Sequence, residues 1–332
     1  MSTLRQDPTT RQWAVLAPRR GSRPHDPVVI PRPVLPAREP ECPFCPGNEA
    51  RTPPEILRTP RRPDWHVRVV PNMYAALTGE GPPRRSGSPM FREMPGVGSH
   101  EVVIESPRHD ARLDEMSQGE VAEVVGVWRS RYRDLIARPE VRAAVVFKNF
   151  GALAGTSLTH PHSQVVATPV FLPRLLRRLD VATRYFDEHG VCVYDDVIAA
   201  EREARVRLVQ ECGTFLSIAP FAANSPYETW VLPSFHQGSF GDLADDDMDD
   251  LACILIHTLR AIRQACGDPD YNLVLYSAPT NGHTDEVFHW HIKILPKMST
   301  PAGFEIGSAM SINTVPPEEA AEALRRHQAA EA

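Results

Sequence analysis

Two imidazoles and a carboxamide alternate in one short segment of the chain, as His160, His162 and Gln164. An apolar run over residues 165–167 follows them, which is typical of an extended strand. Side chains two residues apart leave an extended backbone on the same face, so the three polar groups are expected to line one surface. A neutral imidazole on that surface has a free nitrogen lone pair near pH 7 and can attack phosphorus as a nucleophile.

The residue at the third position restricts the reaction. A histidine there would be able to protonate a poor leaving group and later activate water, whereas a glutamine does not titrate and can only form hydrogen bonds. Gln164 therefore favours a leaving group that needs no proton, such as a sugar 1-phosphate that departs from the α-phosphorus of a nucleoside diphosphate sugar. This chemistry favours transfer over hydrolysis. The alternative is that both histidines are ordinary hydrogen-bonded polar residues beside a strand.

The composition excludes several classes of protein. With 332 residues, of which 42% are hydrophobic, the chain is long enough for one large or two ordinary domains. It contains no run of about 18 apolar residues and no signal-peptide core, so we expect a soluble cytoplasmic protein without a membrane partner. The net charge of -6 argues against nucleic acid as a partner. Six cysteines suit a reducing compartment better than a disulfide framework, and three of them are expected to be buried apolar residues: Cys212, Cys253 and Cys266.

One order of predicted elements occurs twice along the chain. After a proline-rich segment of extended loops at residues 18–64, a strand at 101–109 ends in His109, a helix begins near Ser117, and a strand at 144–147 leads to His160. In the second copy, a strand at 228–236 ends in His236, a helix covers 248–262, and a strand at 273–276 leads to His289. The separations agree, because 160 − 109 = 51 and 289 − 236 = 53. The repeat predicts an α+β protein of two similar halves made by internal duplication, residues 1–180 and 181–332.

The first half contains a candidate metal set. Its members are a Cys-x-x-Cys pair from the proline-rich segment and the two histidines at the repeat positions: Cys42, Cys45, His109 and His160. A Cys2His2 set of this kind is typical of structural zinc, because it leaves no open position for water. It would tie the proline-rich segment to the strand that carries His162. A Cys-x-x-Cys pair alone can also be a redox pair or a chance occurrence.

The second half contains the equivalent set, which is Cys192, Asp195, His236 and His289. Asp195 stands where a second cysteine would be expected. A mixed set of this type can hold a second zinc or iron ion, or it can be a vestige of the duplication.

Three motifs together give the chain a family resemblance: the Cys-x-x-Cys pair at 42–45, the segment 106–109 and the segment 160–164. With these motifs, the chain resembles the galactose-1-phosphate uridylyltransferase family of the histidine triad superfamily. The resemblance extends from Arg5 to Gly307. It implies two tandem histidine-triad-like halves, each an antiparallel sheet with packed helices, and it implies a homodimer.

The resemblance also implies roles for individual residues. His162 is the nucleophile that becomes nucleotidylated, Gln164 hydrogen-bonds the nucleotidyl phosphate, and the Cys2His2 set binds zinc. The other implied substrate contacts are an arginine pair, an asparagine in the nucleoside-binding stretch 71–77 and two residues that flank the glycine turn 151–155: Arg20, Arg23, Asn72, Asn149 and Ser157.

The chain departs from the uridylyltransferases at three places. Met73 stands where they have an acidic residue in the nucleoside stretch, and Arg178 stands at the glutamate of their second, iron-type metal site. A Tyr-Glu pair that recognises the hexose is replaced by Ser308 and Ala309. The stretch 303–307 resembles the ADP-glucose phosphorylase branch instead, and two of its residues are candidate substrate contacts: Phe304 and Glu305.

The sequence therefore predicts a zinc-containing nucleotidyltransferase of the UDP-glucose–hexose-1-phosphate uridylyltransferase type. It would exchange a nucleoside monophosphate between a nucleotide sugar and a sugar 1-phosphate through a nucleotidyl-histidine. The alternative is an ADP- or GDP-sugar phosphorylase that uses inorganic phosphate as the acceptor. A nucleotide hydrolase is disfavoured by Gln164, and a zinc-stabilised binding module is disfavoured by the negative charge and the 7% aromatic content.

Overall fold

Ten strands pair into one antiparallel sheet within residues 1–22, 32–60, 64–78, 81–278 and 284–328, which are the residues that the computed structural model describes. Five other strands of these ranges form a three-stranded and a two-stranded sheet. Arg23, one of the predicted substrate contacts, lies outside the described residues.

The strands are β1 (Thr3–Gln6), β2 (Trp13–Leu16), β3 (Leu57–Thr59), β4 (Val67–Pro71), β5 (Ser86–Gly87), β6 (Arg92–Glu93), β7 (Ser99–Ile104), β8 (Ala143–Phe150), β9 (His162–Thr168), β10 (Leu208–Cys212), β11 (Phe215–Ile218), β12 (Thr229–Pro233), β13 (Tyr271–Tyr276), β14 (His291–Pro296) and β15 (Ser311–Asn313). The α-helices are α1 (Gln118–Ile136), α2 (Pro173–His189), α3 (Val193–Ala204), α4 (Met248–Cys266), α5 (Gly303–Ser308) and α6 (Pro317–Gln328).

The large sheet repeats one strand pattern about its centre. The strand order is β10-β11-β12-β14-β13-β8-β9-β7-β4-β3. Outward from the centre, each side carries the fourth, fifth, third, second and first of its own five strands, counted along the chain. The two halves meet where β13 pairs with β8, with Tyr271 opposite Phe150 and Val274 opposite Phe147. The predicted α+β fold of two antiparallel halves is confirmed, and the two half-sheets are continuous.

Helices α1 and α4 cover one face of the large sheet. Because side chains alternate along a strand, every second residue joins the core beneath these helices, including Val103, Val146 and Val165 in the first half and Leu273 and Ile292 in the second. The residues between them belong to the opposite face. His162 and Gln164 are on that opposite face, as their alternation predicts.

Helix α1 begins where the sequence predicts a helix. The Ser117 hydroxyl accepts the backbone N–H of Glu120, and the Glu120 carboxylate accepts the backbone N–H of Ser117, which completes a capping box. Val121 and Val124, at the predicted helical spacing, are buried. The indole N–H of Trp128 donates to the Ser163 hydroxyl at 2.6 Å, so the helix is also tied to the strand next to His162.

Different segments cover the opposite face of the sheet in the two halves. In the first half, Cys42, Phe44 and Cys45 pack on Val102 and Ile104 of β7. In the second half, helices α2 and α3 cover the equivalent strands. The predicted join between the halves, near residue 180, lies within α2.

The three-stranded sheet lies against the second half. Its strand β2 pairs antiparallel with β1 and parallel with β15. Asn313 at the end of β15 is fully buried and donates its side-chain N–H groups to the carbonyls of Ala223 and Ser225, both at 3.2 Å. These bonds anchor the small sheet to the loop that precedes β12.

The expectation that Cys212 and Cys253 are buried apolar thiols is wrong. They form a disulfide that links the end of β10 to helix α4 across a separation of 41 residues. Local sequence gives no sign of this pairing, because it depends on how α4 packs against the edge of the sheet. Cys266, at the end of α4, is a partly buried free thiol that packs against the core.

The proline-rich segment 18–64 has no α-helix in its described part, as predicted. Its regular structure there consists of the 3-10 turns Pro18–Ser22 and Glu49–Arg51 and the strand β3. Throughout the described ranges, the helices lack the length and apolar character that crossing a lipid bilayer requires.

The turn between β8 and β9 is held from the second half. Gly151 has a φ of 86° and a ψ of 160°, a backbone conformation that is essentially restricted to glycine. Asp270, the residue before β13, lies against Gly151 and accepts the backbone N–H of Leu153 at 2.6 Å. Arg32 donates to the same carboxylate at 2.6 Å. The turn that carries Ser157 is therefore positioned by a residue of the other half.

Gly151→Ala is expected to destabilise the protein more than Gly155→Ala. Both glycines have positive φ values, 86° and 89°, so alanine at either position adds about 1–3 kcal/mol of backbone strain. A Cβ atom at Gly151 would also lie 2.0 Å from Asp270 Oδ1, whereas a Cβ atom at Gly155 would meet no described heavy atom within 4 Å. Urea unfolding of the two variants measures the difference. Equal destabilisation would contradict the anchoring role of Asp270.

Candidate active site and metal centres

His162 begins strand β9 and is 7% exposed. Its Nδ1–H donates to the backbone carbonyl of His160 at 2.9 Å, so the lone pair of the neutral ring is on Nε2. Burial lowers the pKa of His162 below its usual value, and the charge of the nearby Lys148 acts in the same direction. The ring of Phe44 contacts it edge-on, with the centroids 5.5 Å apart. The result is an oriented, neutral imidazole with one nucleophilic nitrogen.

Gln164 lies on the same face of β9 as His162, beside Phe147 of β8 and Val102 of β7. Its side-chain oxygen accepts the Nδ2–H of Asn72 at 3.2 Å and is 2.7 Å from Nε2 of His100. The structure therefore brings together three residues of the predicted site, His162, Gln164 and Asn72.

His100 is a site residue that the sequence analysis missed. It lies on β7 two residues before Val102, so alternation alone places it on the face of Val102 and Ile104. The signal needed to connect it to Gln164 is the pairing of β7 with β9. That pairing joins residues about 65 positions apart and is not local in the sequence.

Asn149 and Ser157 lie at the two ends of the turn between β8 and β9. Asn149 is opposite Asn272 of β13, and its side-chain oxygen accepts the Nδ2–H of Asn272 at 2.8 Å. Ser157 is exposed. Asn149, on the face of Phe147 in β8, is therefore near β9, which carries His162 and Gln164, and Ser157 belongs to the exposed turn that joins the two strands.

Three other predicted substrate contacts lie beside the small sheet. Arg20 is exposed in the 3-10 turn that follows β2, and α5 precedes β15. In α5, Phe304 is half exposed, and the carboxylate of Glu305 accepts the backbone N–H of Ala302 at 3.1 Å. Among the described residues, no hydrogen bond joins Arg20, Phe304 or Glu305 to His162 or Gln164.

The predicted Cys2His2 set is assembled and buried. Its four donor atoms lie within 4.8 Å of one another: those of Cys42, Cys45, His109 and His160. The sulfur-to-Nδ1 distances are 3.6–3.7 Å, and tetrahedral zinc with ordinary bond lengths separates sulfur and nitrogen by about 3.6 Å. Burial lowers the pKa of His160 to about 4, which favours the neutral ring that binds metal. The set fits a metal ion such as zinc.

The outer ring nitrogens of the two histidines also have partners. His160 Nε2–H donates to the carbonyl of Ser106 at 2.8 Å, and His109 Nε2 is 3.0 Å from the Thr159 hydroxyl. Such bonds fix the tautomer that leaves Nδ1 free for a metal. Because His160 is two residues before His162, the candidate metal set lies directly beside the start of β9.

The second candidate set is only partly assembled. The donor atoms of Cys192, Asp195 and His236 lie within 4.8 Å of one another. His289 Nε2 is 3.9 Å from Asp195, and both ring nitrogens of His289 are buried without a hydrogen-bond partner in the described residues. His236 donates to Asp195 at 2.8 Å, and this bond, with a further one to Cys192, raises the pKa of His236 to about 10.

The second half also contains a buried histidine at the position equivalent to His162. His291 begins β14 as His162 begins β9, and its Nδ1–H donates to the carbonyl of His289 at 3.1 Å. The ring of His291 is fully buried and packs between the rings of Trp230 and Tyr276. The buried guanidinium of Arg178 lies over the ring of Tyr276. The two histidines differ in burial, because His162 is 7% exposed and His291 is fully buried.

Two family models match the chain in succession. The model of the galactose-1-phosphate uridyl transferase N-terminal domain matches residues 1–171, and that of the C-terminal domain matches residues 178–330. The chain belongs to the galactose-1-phosphate uridylyltransferase family. Similar proteins include the ADP-glucose phosphorylase of Arabidopsis thaliana, which is 35% identical over 97% of this chain and 92% of its own length. The galactose-1-phosphate uridylyltransferase of Thermotoga maritima is 28% identical over 98% of both chains.

Solved structures of this family superpose on nearly the whole chain. The crystal structure of the Arabidopsis ADP-glucose phosphorylase with bound ADP-glucose has a TM-score of 0.86 at 33% identity and covers 98% of this chain and 99% of that one. A uridylyltransferase structure has a TM-score of 0.78 at 29% identity and covers 99% of both chains. The predicted family and fold are confirmed, and the chain is an enzyme of the nucleotidyltransferase and phosphorylase class.

Behind His162, on the helix-covered face, is a buried ion pair that the sequence analysis missed. Lys148 Nζ donates to the Glu105 carboxylate at 2.5 Å and to the carbonyl of His162 at 3.2 Å. The two side chains are 2% and 0% exposed. The sequence did contain a signal for the pair, because Lys148 and Glu105 each come immediately after an apolar run. The sequence alone does not show that Lys148 pairs with Glu105, because that contact depends on how the strands are arranged in the sheet.

Lys148→Met is expected to destabilise the protein by about 3–5 kcal/mol, because it leaves the Glu105 carboxylate buried without its cation. The matched control is the double variant Lys148→Met/Glu105→Gln, which removes both charges and should recover most of the loss. Chemical denaturation measures both. If Lys148→Met is as stable as the double variant, Lys148 does not stabilise the buried carboxylate of Glu105.

Proposed function

We propose that this enzyme transfers a nucleoside monophosphate from a nucleotide sugar through a covalent bond to His162. The observation that carries the proposal is the hydrogen bond from His162 Nδ1–H to the carbonyl of His160, which leaves the Nε2 lone pair on the substrate face. A nucleophile needs both an available lone pair and a fixed direction of attack, and this bond supplies both.

The proposed reaction has two steps. Nε2 of His162 attacks the α-phosphorus, a nitrogen–phosphorus bond forms, and the bond from phosphorus to the sugar 1-phosphate oxygen breaks with its electron pair on the leaving oxygen. An oxygen of the acceptor phosphate then attacks the same phosphorus and displaces Nε2. The Nδ1 proton stays on the ring throughout, and the carbonyl of His160 stabilises the positive charge that the ring carries in the intermediate.

The other predicted site residues have positioning and charge-neutralising roles in this proposal. Gln164, Asn149 and Ser157 would donate hydrogen bonds to phosphoryl oxygens, and Asn72 would contact the nucleoside. Phosphoryl transfer relies mainly on such positioning, because little covalent chemistry is left to the protein. Arg20, Arg23, Phe304 and Glu305 are proposed to contact the phosphates and the sugar, as the family resemblance implies.

We favour ADP-glucose as the nucleotide sugar and inorganic phosphate as the acceptor. The Arabidopsis ADP-glucose phosphorylase is 35% identical to this chain, whereas the Thermotoga and Haemophilus influenzae uridylyltransferases are 28% and 30% identical. Met73, Ser308 and Ala309 also stand where the uridylyltransferases carry residues for uridine and hexose. The uridylyltransferase reaction, with hexose 1-phosphate as the acceptor, is the second candidate, and the nearly full-length match to that family supports it.

We further propose that Cys42, Cys45, His109 and His160 bind a structural zinc ion. With four protein ligands the ion would have no open position, so it would hold the segment of Cys42 and Cys45 against β9 without taking part in the reaction. The second set, Cys192, Asp195, His236 and His289, is proposed as a second metal site, which the two unpartnered nitrogens of His289 support. We also propose that the chain divides into two halves near residue 180 and that it forms a homodimer.

The first experiment is to mix the enzyme separately with ADP-glucose, UDP-glucose and GDP-glucose without an acceptor and to measure the intact mass. One nucleoside monophosphate per chain is expected, with release of one equivalent of glucose 1-phosphate, and the added mass names the base. His162→Ala should gain no mass. Turnover with inversion at phosphorus and no trapped adduct would indicate direct transfer and would remove His162 as the nucleophile.

The labelled enzyme then identifies the acceptor. Inorganic phosphate should discharge an AMP adduct as ADP, because the phosphate oxygen takes the place of Nε2 on phosphorus. Galactose 1-phosphate is the matched alternative. Discharge by galactose 1-phosphate and not by phosphate would favour the uridylyltransferase reaction.

Purified enzyme is expected to contain at least one zinc ion per chain, measured by elemental analysis. Cys42→Ser should lower the metal content, because a ligand is lost from a buried site. It should also lower the free energy of unfolding by several kcal/mol, because metal binding contributes to folding. The control is Cys266→Ser, which removes a partly buried thiol outside both sets. Active enzyme with neither zinc nor iron would contradict the proposed site.

A further inference from the structure

His100 connects the catalytic amide to the turn that follows β4. Its Nδ1 lies 3.1 Å from the backbone N–H of Ala76, and its Nε2 lies 2.7 Å from the side-chain oxygen of Gln164. A backbone N–H can only donate, so Nδ1 must be the acceptor nitrogen of the neutral ring. The ring proton is therefore on Nε2, which donates to Gln164.

Asn72 donates to the same oxygen of Gln164. Its own side-chain oxygen accepts the backbone N–H of Tyr74 at 2.8 Å, so its Nδ2–H group is directed at Gln164, at 3.2 Å. Asn72 Nδ2 and His100 Nε2 are 3.1 Å apart, and since both are donors they converge on one acceptor. The carboxamide oxygen of Gln164 thus accepts two hydrogen bonds, which is its full capacity.

These contacts determine which end of the Gln164 amide faces the substrate. Rotation of the amide by half a turn would place its NH2 group against two donors and lose both bonds. The orientation that remains leaves the NH2 group available on the face of His162. A phosphoryl group presents only acceptor oxygens, so an NH2 group attracts it and a carbonyl oxygen repels it.

We propose that His100 is a positioning residue that holds the Gln164 amide with its NH2 group toward the reacting phosphoryl group. It does so by an Nε2–H bond to the amide oxygen, while the N–H of Ala76 fixes the tautomer. His100 also makes the amide and the turn 72–76 one hydrogen-bonded unit, so a nucleoside bound at that turn stabilises the reactive arrangement of Gln164. The role in catalysis rests on the proposed function, whereas the hydrogen-bond arrangement does not.

Two substitutions separate the two ring nitrogens of His100. In His100→Gln, the side-chain NH2 can occupy the position of Nε2 and donate to Gln164. In His100→Asn, the side-chain oxygen can occupy the position of Nδ1 and accept from Ala76, but no donor reaches Gln164. If His100 only anchored the turn, His100→Asn would be the milder change. If it orients the amide, His100→Gln is the milder change.

The experiment measures the rate of adduct formation in single turnovers at saturating ADP-glucose, with UDP-glucose in parallel, together with KM and the unfolding midpoint. His100→Asn and His100→Leu are expected to slow the chemical step by about 100-fold, the loss for a group misplaced by about 1 Å, with a smaller change in KM. His100→Gln should recover most of the rate at an unchanged unfolding midpoint. Equal rates for the Asn and Gln variants, or a loss confined to KM, would overturn the proposal.

A second measurement does not depend on activity. Enzyme labelled with nitrogen-15 in its histidines reports which ring nitrogen carries the proton, and the His100 signals are those missing in His100→Gln. The proposal requires the Nε2–H form in enzyme without substrate, and the Nδ1–H form would overturn it. If wild-type enzyme forms no adduct with any nucleotide sugar, the proposed function fails, and the tautomer still decides whether His100 holds Gln164 as described.

Discussion

The antiparallel pairing of β8 with β13 is the interaction on which the other features of this enzyme depend. It joins two half-sheets into one and stacks Phe150 on Tyr271, with the ring centroids 4.9 Å apart. It also brings Asp270 to the turn after β8, where its carboxylate occupies the space that a side chain at position 151 would fill. The second half therefore shapes the turn between β8 and β9 of the first half.

The two halves differ most in what covers the face of the large sheet opposite α1 and α4. In the first half, the cover is a short segment around Cys42 and Cys45, and it leaves His162 partly accessible. In the second half, two helices fill the same space, and a buried network of Arg178, Lys293 and aromatic rings surrounds His291. The small sheet is attached to this second, closed half. The asymmetry between the copies is thus produced by packed side chains and not by a change in the strands.

Much of the fold and of the central site could be predicted from the sequence, because it depends on local patterns. The capping box of Ser117 and Glu120 located α1, and the alternation of His162 and Gln164 placed both side chains on one face of the sheet. The metal set could be predicted because the duplication identified equivalent histidines. What could not be predicted depends on contacts between strands or helices that are distant in the chain. The Cys212–Cys253 disulfide, the Lys148–Glu105 pair and the bond of His100 to Gln164 all belong to this class.

The bond from histidine Nδ1 to the carbonyl two residues earlier occurs in both halves, at 2.9 Å for His162 and 3.1 Å for His291. Only the first of these rings is partly accessible, yet the second retains the same orientation. The bond is therefore shared by the two His-x-His segments at the start of their strands, although different segments cover the two rings. The orientation of each ring is thus set by its local backbone, whereas its exposure is set by the segment that packs beside it, Phe44 at His162 and Tyr194 of α3 at His291.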